Sequence, residues 1–153
     1  MLVHRAEEAF HKGITMLESG RPRDAVAFFK AAIDIENQVG GGDPGQARYV
    51  SYYGLGLCLS RTASHEAIAC CRKAAEFEGY RPEVWWNLGR VALTAGRRGE
   101  AHRAFHRGLA LQPGHPGILR DLQRMGIRRR PALPFLPRKN PLNVFFGHLR
   151  RTA

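Results

Sequence analysis

The sequence predicts an all-α protein made of three helical hairpins, a further helix and a basic tail. One observation is a repeat: small and apolar residues recur at an interval of 34 residues, as from Ala67 to Ala101 and from Cys71 to Phe105. A second is the punctuation by glycine and proline at 20–22, 79–82 and 96, which is typical of helix ends. We therefore expect short paired helices from the N-terminus to about residue 125.

The repeat is most complete after Pro82, and each of its residues has a packing role. Trp85 and Leu88 lie three residues apart on one helix face, where we expect Trp85 to be core. Gly89 allows a second helix to approach closely, and Ala101 and Phe105 fill the seam from that helix. This stretch predicts one complete hairpin.

Two earlier hairpins are predicted from weaker copies. The first carries Gly13, Ala25 and Phe29, and a glycine-rich stretch at 37–45 separates it from the second. The second is degenerate, because Tyr53 stands where Leu88 stands in the third.

The order of these residues resembles the tetratricopeptide repeat, W-x2-L-G-x2-Y followed by A-x3-F and a closing proline, with Ala92 in the tyrosine place and Pro113 at the end. The resemblance implies a domain over 4–125 that forms a right-handed superhelix. Its parts are repeats at about 6–39, 47–81 and 82–115 and a capping helix at 116–125.

The resemblance also implies a concave groove that binds a protein or peptide, lined by the first helix of each repeat. The groove positions, carried over one by one, are Phe10, Ile14, Leu17, Tyr52, Leu55, Trp86, Asn87, Arg90 and Leu93. Family members that bind the C-terminal carboxylate of a chaperone have basic residues at groove positions of the first and third repeats. In this chain those positions hold Phe10, Ile14, Glu83 and Asn87. A chaperone C-terminus is therefore not the expected ligand. For Trp86, packing on the neighbouring repeat stays open as an alternative.

Residues for catalysis, cofactor binding or metal binding are not expected. His65-Glu66 begins like a zinc-protease helix, but Ala69 stands where the second histidine is needed. His102 and His106 are flanked by arginines and are predicted to form a solvated helix face. We expect a non-enzymatic protein without a cofactor.

The tail, 126–153, is basic and rich in proline, and it ends in a predicted amphipathic helix. From Gly114 onwards, 9 Lys and Arg face 1 acidic residue, out of a net charge of +11 for the 153-residue chain. Its candidate docking or anchoring residues are Arg128, Arg129, Arg130, Phe135, Leu142, Phe145, Phe146 and Leu149. Packing on its own repeats is the first expectation, and another protein or an anionic membrane surface are the alternatives. Nucleic acid is a minor alternative, because no base-reading module accompanies the arginines.

The expected location is the cytoplasm, with a peripheral position at the inner face of a membrane as the alternative that the tail allows. The three cysteines, Cys58, Cys70 and Cys71, lack the spacing of a disulfide framework and suit a reducing compartment.

Overall fold

The computed structural model describes residues 2–38, 46–61 and 64–126 of the chain. In these ranges every regular element is an α-helix, which confirms the predicted all-α fold. The helices are α1 (Leu2–Glu18), α2 (Pro22–Gln38), α3 (Gln46–Leu59), α4 (Ser64–Phe77), α5 (Pro82–Thr94), α6 (Arg98–Leu111) and α7 (Pro116–Met125). The predicted tail residues, from Arg128 to Leu149, lie outside the described residues and stay predictions.

The helices pair in chain order as three antiparallel hairpins. α1 packs on α2, α3 on α4 and α5 on α6, while α2–α3 and α4–α5 join each hairpin to the next. α3 also packs on α5. Residues 1–122 form one compact unit, and of the second unit, 123–153, only the end of α7 and Gly126 are described.

Local sequence explains where the helices begin and end. Pro22, Pro82 and Pro116 each occupy a first helical position, where the missing N–H has no intrahelical partner to lose. Gly20 (φ 71°) follows the end of α1, and Gly96 (φ 73°) follows the end of α5. At both sites two backbone hydrogen bonds close the last turn in the Schellman arrangement, which needs a residue with positive φ.

The repeated glycines let the two helices of a hairpin touch. A Cβ added to Gly13 would overlap the ring of Phe29, and one added to Gly89 would overlap the ring of Phe105 in the same way. In the middle hairpin the matching glycine, Gly54, faces the smaller Cys71, whose Sγ would lie 2.9 Å from the added Cβ. The degenerate copy therefore keeps the close approach with a thiol in the aromatic place.

The core follows the seams of the hairpins. Its largest fully buried side chains are Phe29, Phe105, Leu55, Ile118, Val84 and Val91. Ile118 comes from α7 and would contact a Cβ placed on Gly108 of α6, so α7 covers the end of the third hairpin. This is the arrangement expected of a capping helix.

Candidate functional site

Five of the predicted groove residues lie half-buried on the first helix of each hairpin. They are Ile14, Leu17, Tyr52, Arg90 and Leu93. We call the surface formed by these five residues the inner face. Ile14, Leu17 and Tyr52 pack against one aromatic core cluster, which contains Phe10 and Phe29. The first two hairpins therefore share one apolar support beneath this surface.

Tyr52 of α3 packs against Phe10 of α1 and lies within electrostatic range of Glu83 and Arg90 on α5. Its ring lies 5.2 Å from that of Phe10, edge to face. Burial raises the pKa of the Tyr52 phenol, and the nearby carboxylate of Glu83 raises it further, while the cations Arg48 and Arg90 oppose the shift. The phenol thus stays neutral and able to donate a hydrogen bond across the whole physiological pH range.

Three predicted groove residues are buried instead, and for them the sequence-based prediction is corrected. Phe10 is 4% exposed, Leu55 2% and Asn87 0%. Phe10 packs between Phe29 and the tyrosines of α3, at ring distances of 5.0 to 5.6 Å. These side chains support the inner face from below, since none presents a surface that a partner can touch.

Asn87 is buried with a specific polar partner. Its Nδ2 donates a hydrogen bond to Oγ of Ser51, which is also fully buried, at 3.1 Å. This bond ties α5 to α3 through the amide nitrogen, whereas the Oδ1 of Asn87 is buried without a hydrogen-bond partner, which costs about 1–3 kcal/mol. Asn87 is therefore a packing residue between the second and third hairpins.

Trp86 is half-buried and packs against α7. Its Nε1 donates a hydrogen bond to Oδ2 of Asp121 at 2.8 Å. The indole also contacts Gly117, where a Cβ would overlap the ring, and lies 5.1 Å from the ring of His115. His115 in turn caps α7, because its Nδ1 accepts the backbone N–H of Ile118 at 3.2 Å. Trp86 thus joins α5 to α7. Trp85 also makes a packing contact, because its Nε1 donates to the Gly79 carbonyl at 2.7 Å.

One polar cluster beside the inner face was not predicted from the sequence. Arg48 on α3 forms an ion pair with Glu7 on α1, with Nη2 at 2.6 Å from both carboxylate oxygens. The Tyr49 hydroxyl donates to the same carboxylate at 2.6 Å. The Arg48 guanidinium also lies 4.5 Å from the centroid of the Phe10 ring, at cation–π distance.

The charges of this cluster hold one another in the ionised state. Burial opposes ionisation of Glu7, but the hydrogen bonds from Tyr49 and Arg48 outweigh it and hold the pKa of Glu7 below its usual value. Burial and the adjacent Glu7 carboxylate raise the pKa of the Tyr49 phenol. Glu7 and Arg48 are 41 residues apart in the sequence, so no local sequence pattern predicts this cluster.

A concave region lies between α2, α3 and α4. This cleft has a volume of about 680 Å³ and is lined by Ile33, Val50, Lys73, Phe77, Glu78 and Tyr80 among others. Phe77 is 70% exposed and Tyr80 58%. None of the predicted groove residues lines it.

Two histidines on the exposed side of α6 point at each other. The Nε2 atoms of His102 and His106 lie 3.1 Å apart, and their ring centroids are 4.3 Å apart. Among the described residues, no group of three or more His, Cys, Asp or Glu is arranged to hold a metal ion. No helix in the described ranges is long and apolar enough to cross a membrane.

Comparisons with known proteins agree with the repeat. The tetratricopeptide repeat family model matches residues 82–115, which is the third hairpin. No curated protein sequence matches the chain significantly.

Several solved structures share the fold. The tetratricopeptide domain of Arabidopsis OM64 matches with a TM-score of 0.65 at 19% identity, over 82% of this chain and 97% of that domain. PcrH, solved in complex with the chaperone binding region of PopB, matches with a TM-score of 0.59 at 20% identity, over 78% of this chain and 93% of its own. YrrB, described as having an unusual peptide-binding site, matches with a TM-score of 0.60 at 14% identity, over 78% of this chain and 57% of its own.

One conclusion follows from the repeat spacing, the glycine–aromatic contact repeated in the hairpins, the family match and the shared fold. Residues 82–115 match the tetratricopeptide repeat family, and the described part of the chain has the fold of solved tetratricopeptide repeat structures.

Proposed function

We propose that the chain is a non-catalytic interaction adaptor that binds a peptide or helix of a partner protein on the inner face. The observation that carries this proposal is the row of half-buried side chains Ile14, Leu17, Tyr52, Arg90 and Leu93 on three successive first helices. Two proteins of the same fold support it, because PcrH was solved in complex with the chaperone binding region of PopB and YrrB has a peptide-binding site.

The side chains of the inner face suggest what kind of segment it accepts. Ile14, Leu17 and Leu93 offer apolar contact, so the partner segment carries spaced apolar side chains. Arg90 is held with its guanidinium 5.2 Å from the Trp86 ring centroid, which pre-orients a cation beside the Tyr52 phenol. Arg90 and the neutral Tyr52 phenol are two donors that suit an acidic or carbonyl group of the partner.

Selection from a random peptide display library tests the proposal. Peptides selected on the wild-type protein should lose at least tenfold in affinity for Leu17→Glu and for Leu93→Glu, because each places an unpaired charge on the apolar surface. Leu111→Glu is the matched control, since Leu111 is 45% exposed on α6 and lies outside the inner face. Circular dichroism should show equal helix content in all variants. Peptides whose binding ignores both inner-face variants, or a library that yields no saturable binder, would contradict the proposal.

Membrane association through the tail is the second candidate function. It rests on sequence alone, because Leu142, Phe145, Phe146 and Leu149 have the i, i+3, i+4, i+7 spacing of an apolar helix face beside Arg150 and Arg151. Flotation with phosphatidylserine vesicles should require Phe145 and Phe146, and neutral phosphatidylcholine vesicles should not recruit the protein. Equal recovery of wild type and a Phe145→Ala/Phe146→Ala variant would rule this function out. A steep, salt-dependent shift with DNA or RNA would favour nucleic acid instead.

A further inference from the structure

The histidine pair on α6 carries an inference separate from the inner face. His102 and His106 are both exposed, stand one helical turn apart and bring their Nε2 atoms to 3.1 Å. At this distance one imidazole donates its Nε2–H and the other accepts, so at least one ring is neutral in this arrangement. The pair is preorganised, because both rings already point at one shared position.

The separation of the two nitrogens suits chelation of one ion. Zinc binds imidazole nitrogen at about 2.0–2.1 Å, so two nitrogens 3.1 Å apart subtend an angle of roughly 100° at a shared zinc ion. That angle lies between the octahedral and tetrahedral values, and the rings need little movement to reach it. Neutral imidazole is a good ligand for Zn²⁺, Ni²⁺ and Cu²⁺, and a poor one for Mg²⁺ and Ca²⁺.

We propose that His102 and His106 form a two-ligand chelate site for a divalent transition-metal ion, with water in the remaining positions. This departs from the expectation that the pair is only a solvated helix face. No third histidine, cysteine or carboxylate completes the site among the described residues, so it is an open site on the protein surface.

Because of the charges around the pair, we expect its affinity for the metal ion to be lower than that of a closed four-ligand site. Arg98, Arg103 and Arg107 lie on the same helix and repel a cation. The Arg107 guanidinium is turned away onto the Trp85 ring, 4.9 Å from its centroid. Glu100, the acidic residue of α6, forms ion pairs with Arg72 at 2.7 Å and with Arg97 at 3.8 Å. The arginines therefore weaken the site by charge repulsion, while the contact with Trp85 holds the Arg107 guanidinium away from the pair.

A metal ion bound here links two successive turns of α6. Because a ligand that prefers the folded state stabilises it by mass action, zinc should raise the melting temperature of the wild-type protein. Protons compete with the metal for the imidazoles, so binding weakens as the pH falls.

Calorimetric titration of the full chain, without an affinity tag, with Zn²⁺ and with Ni²⁺ tests the site. We expect saturable binding that His102→Ala and His106→Ala each weaken at least tenfold, since either change destroys the chelate. His65→Ala is the matched control, because His65 is exposed on α4 and has no histidine one turn away. It should bind like the wild type, and Mg²⁺ should produce no saturable signal with any protein.

A rescue variant separates chelation from an effect on folding. In His102→Ala/Ala110→His, a new pair forms at positions 106 and 110, again four residues apart, and Ala110 is exposed on α6. This variant should recover the affinity lost in His102→Ala. Unchanged affinity in both single variants, an equal loss in His65→Ala, or no recovery in the double variant would overturn the proposal.

Discussion

The indole Nε1 of Trp86 donates a 2.8 Å hydrogen bond to Oδ2 of Asp121, which ties α5 to α7. Around this bond the indole contacts Gly117 and lies beside the buried ring of His115. One aromatic side chain of the third hairpin therefore holds the capping helix at three points.

Truncating this side chain is expected to destabilise the protein. Trp86→Ala removes the indole from its contact with α7 and should lower the free energy of unfolding by about 3 kcal/mol. Trp86→Phe keeps an aromatic ring but loses the bond to Asp121, and should cost about 1 kcal/mol. Urea denaturation followed by circular dichroism measures both. A Trp86→Ala variant as stable as the wild type would show that the contact with α7 contributes nothing to folding.

Replacing glycine by alanine should have opposite effects on stability at Gly89 and at Gly99. In Gly89→Ala the new methyl group meets the ring of Phe105, which is fully buried and cannot move aside, so we expect a loss of about 2–3 kcal/mol. Gly99 is exposed on α6, and a Cβ there would have only the end of Arg103 nearby, at 3.9 Å. Gly99→Ala should therefore gain about 0.5–1 kcal/mol from its better helix propensity. Thermal melts of the two variants check the sign of each effect.

The Glu7–Arg48–Tyr49 cluster predicts a pH-dependent contribution to stability. The folded-state pKa of Glu7 lies below the unfolded value, so its contribution is full above the unfolded pKa and disappears as the pH falls through the folded one. Glu7→Gln should cost about 1 kcal/mol at pH 7, after allowance for the partial exposure of the side chain. The difference from wild type should shrink below about pH 4.

Glu8→Gln is the control for this measurement. Glu8 forms an ion pair with Lys12 at 2.8 Å on the open surface, so its replacement should leave the free energy of unfolding unchanged within error. Urea titrations of the three proteins between pH 3 and pH 7 supply the comparison. A constant difference between Glu7→Gln and wild type over this range would contradict the assignment of the ionised state.

The cysteines should differ in reactivity according to their burial. Cys58 and Cys71 are buried, Cys70 is half-buried, and all three are free thiols. Burial raises the pKa of both the Cys70 and the Cys71 thiol, so little thiolate is present at neutral pH. In the folded protein a thiol reagent at pH 7.5 should label Cys70 slowly and spare the other two. In denaturant all three should react, and rapid reaction of all three in the folded protein would contradict the packing described here.

The sequence alone determined the helices and their pairing, because these depend on short-range rules. Pro22 and Pro82 set helix starts, and Gly20 and Gly96 set helix ends, through backbone geometry that each residue imposes locally. The spacing from Gly89 to Phe105 also repeats that from Gly13 to Phe29, so one recognised hairpin indicated how the first is packed.

Only the tertiary structure decided which of the predicted groove side chains are buried. Periodicity places Phe10, Leu55 and Asn87 on the same helix faces as Ile14, Tyr52 and Arg90, respectively, but burial depends on what packs there from elsewhere in the chain. Trp86 packs against α7, which returns to it from 35 residues away, and Glu7 is ionised because Arg48 reaches it from the next hairpin. Such contacts follow from the separation and angle of neighbouring helices, which a sequence period does not specify.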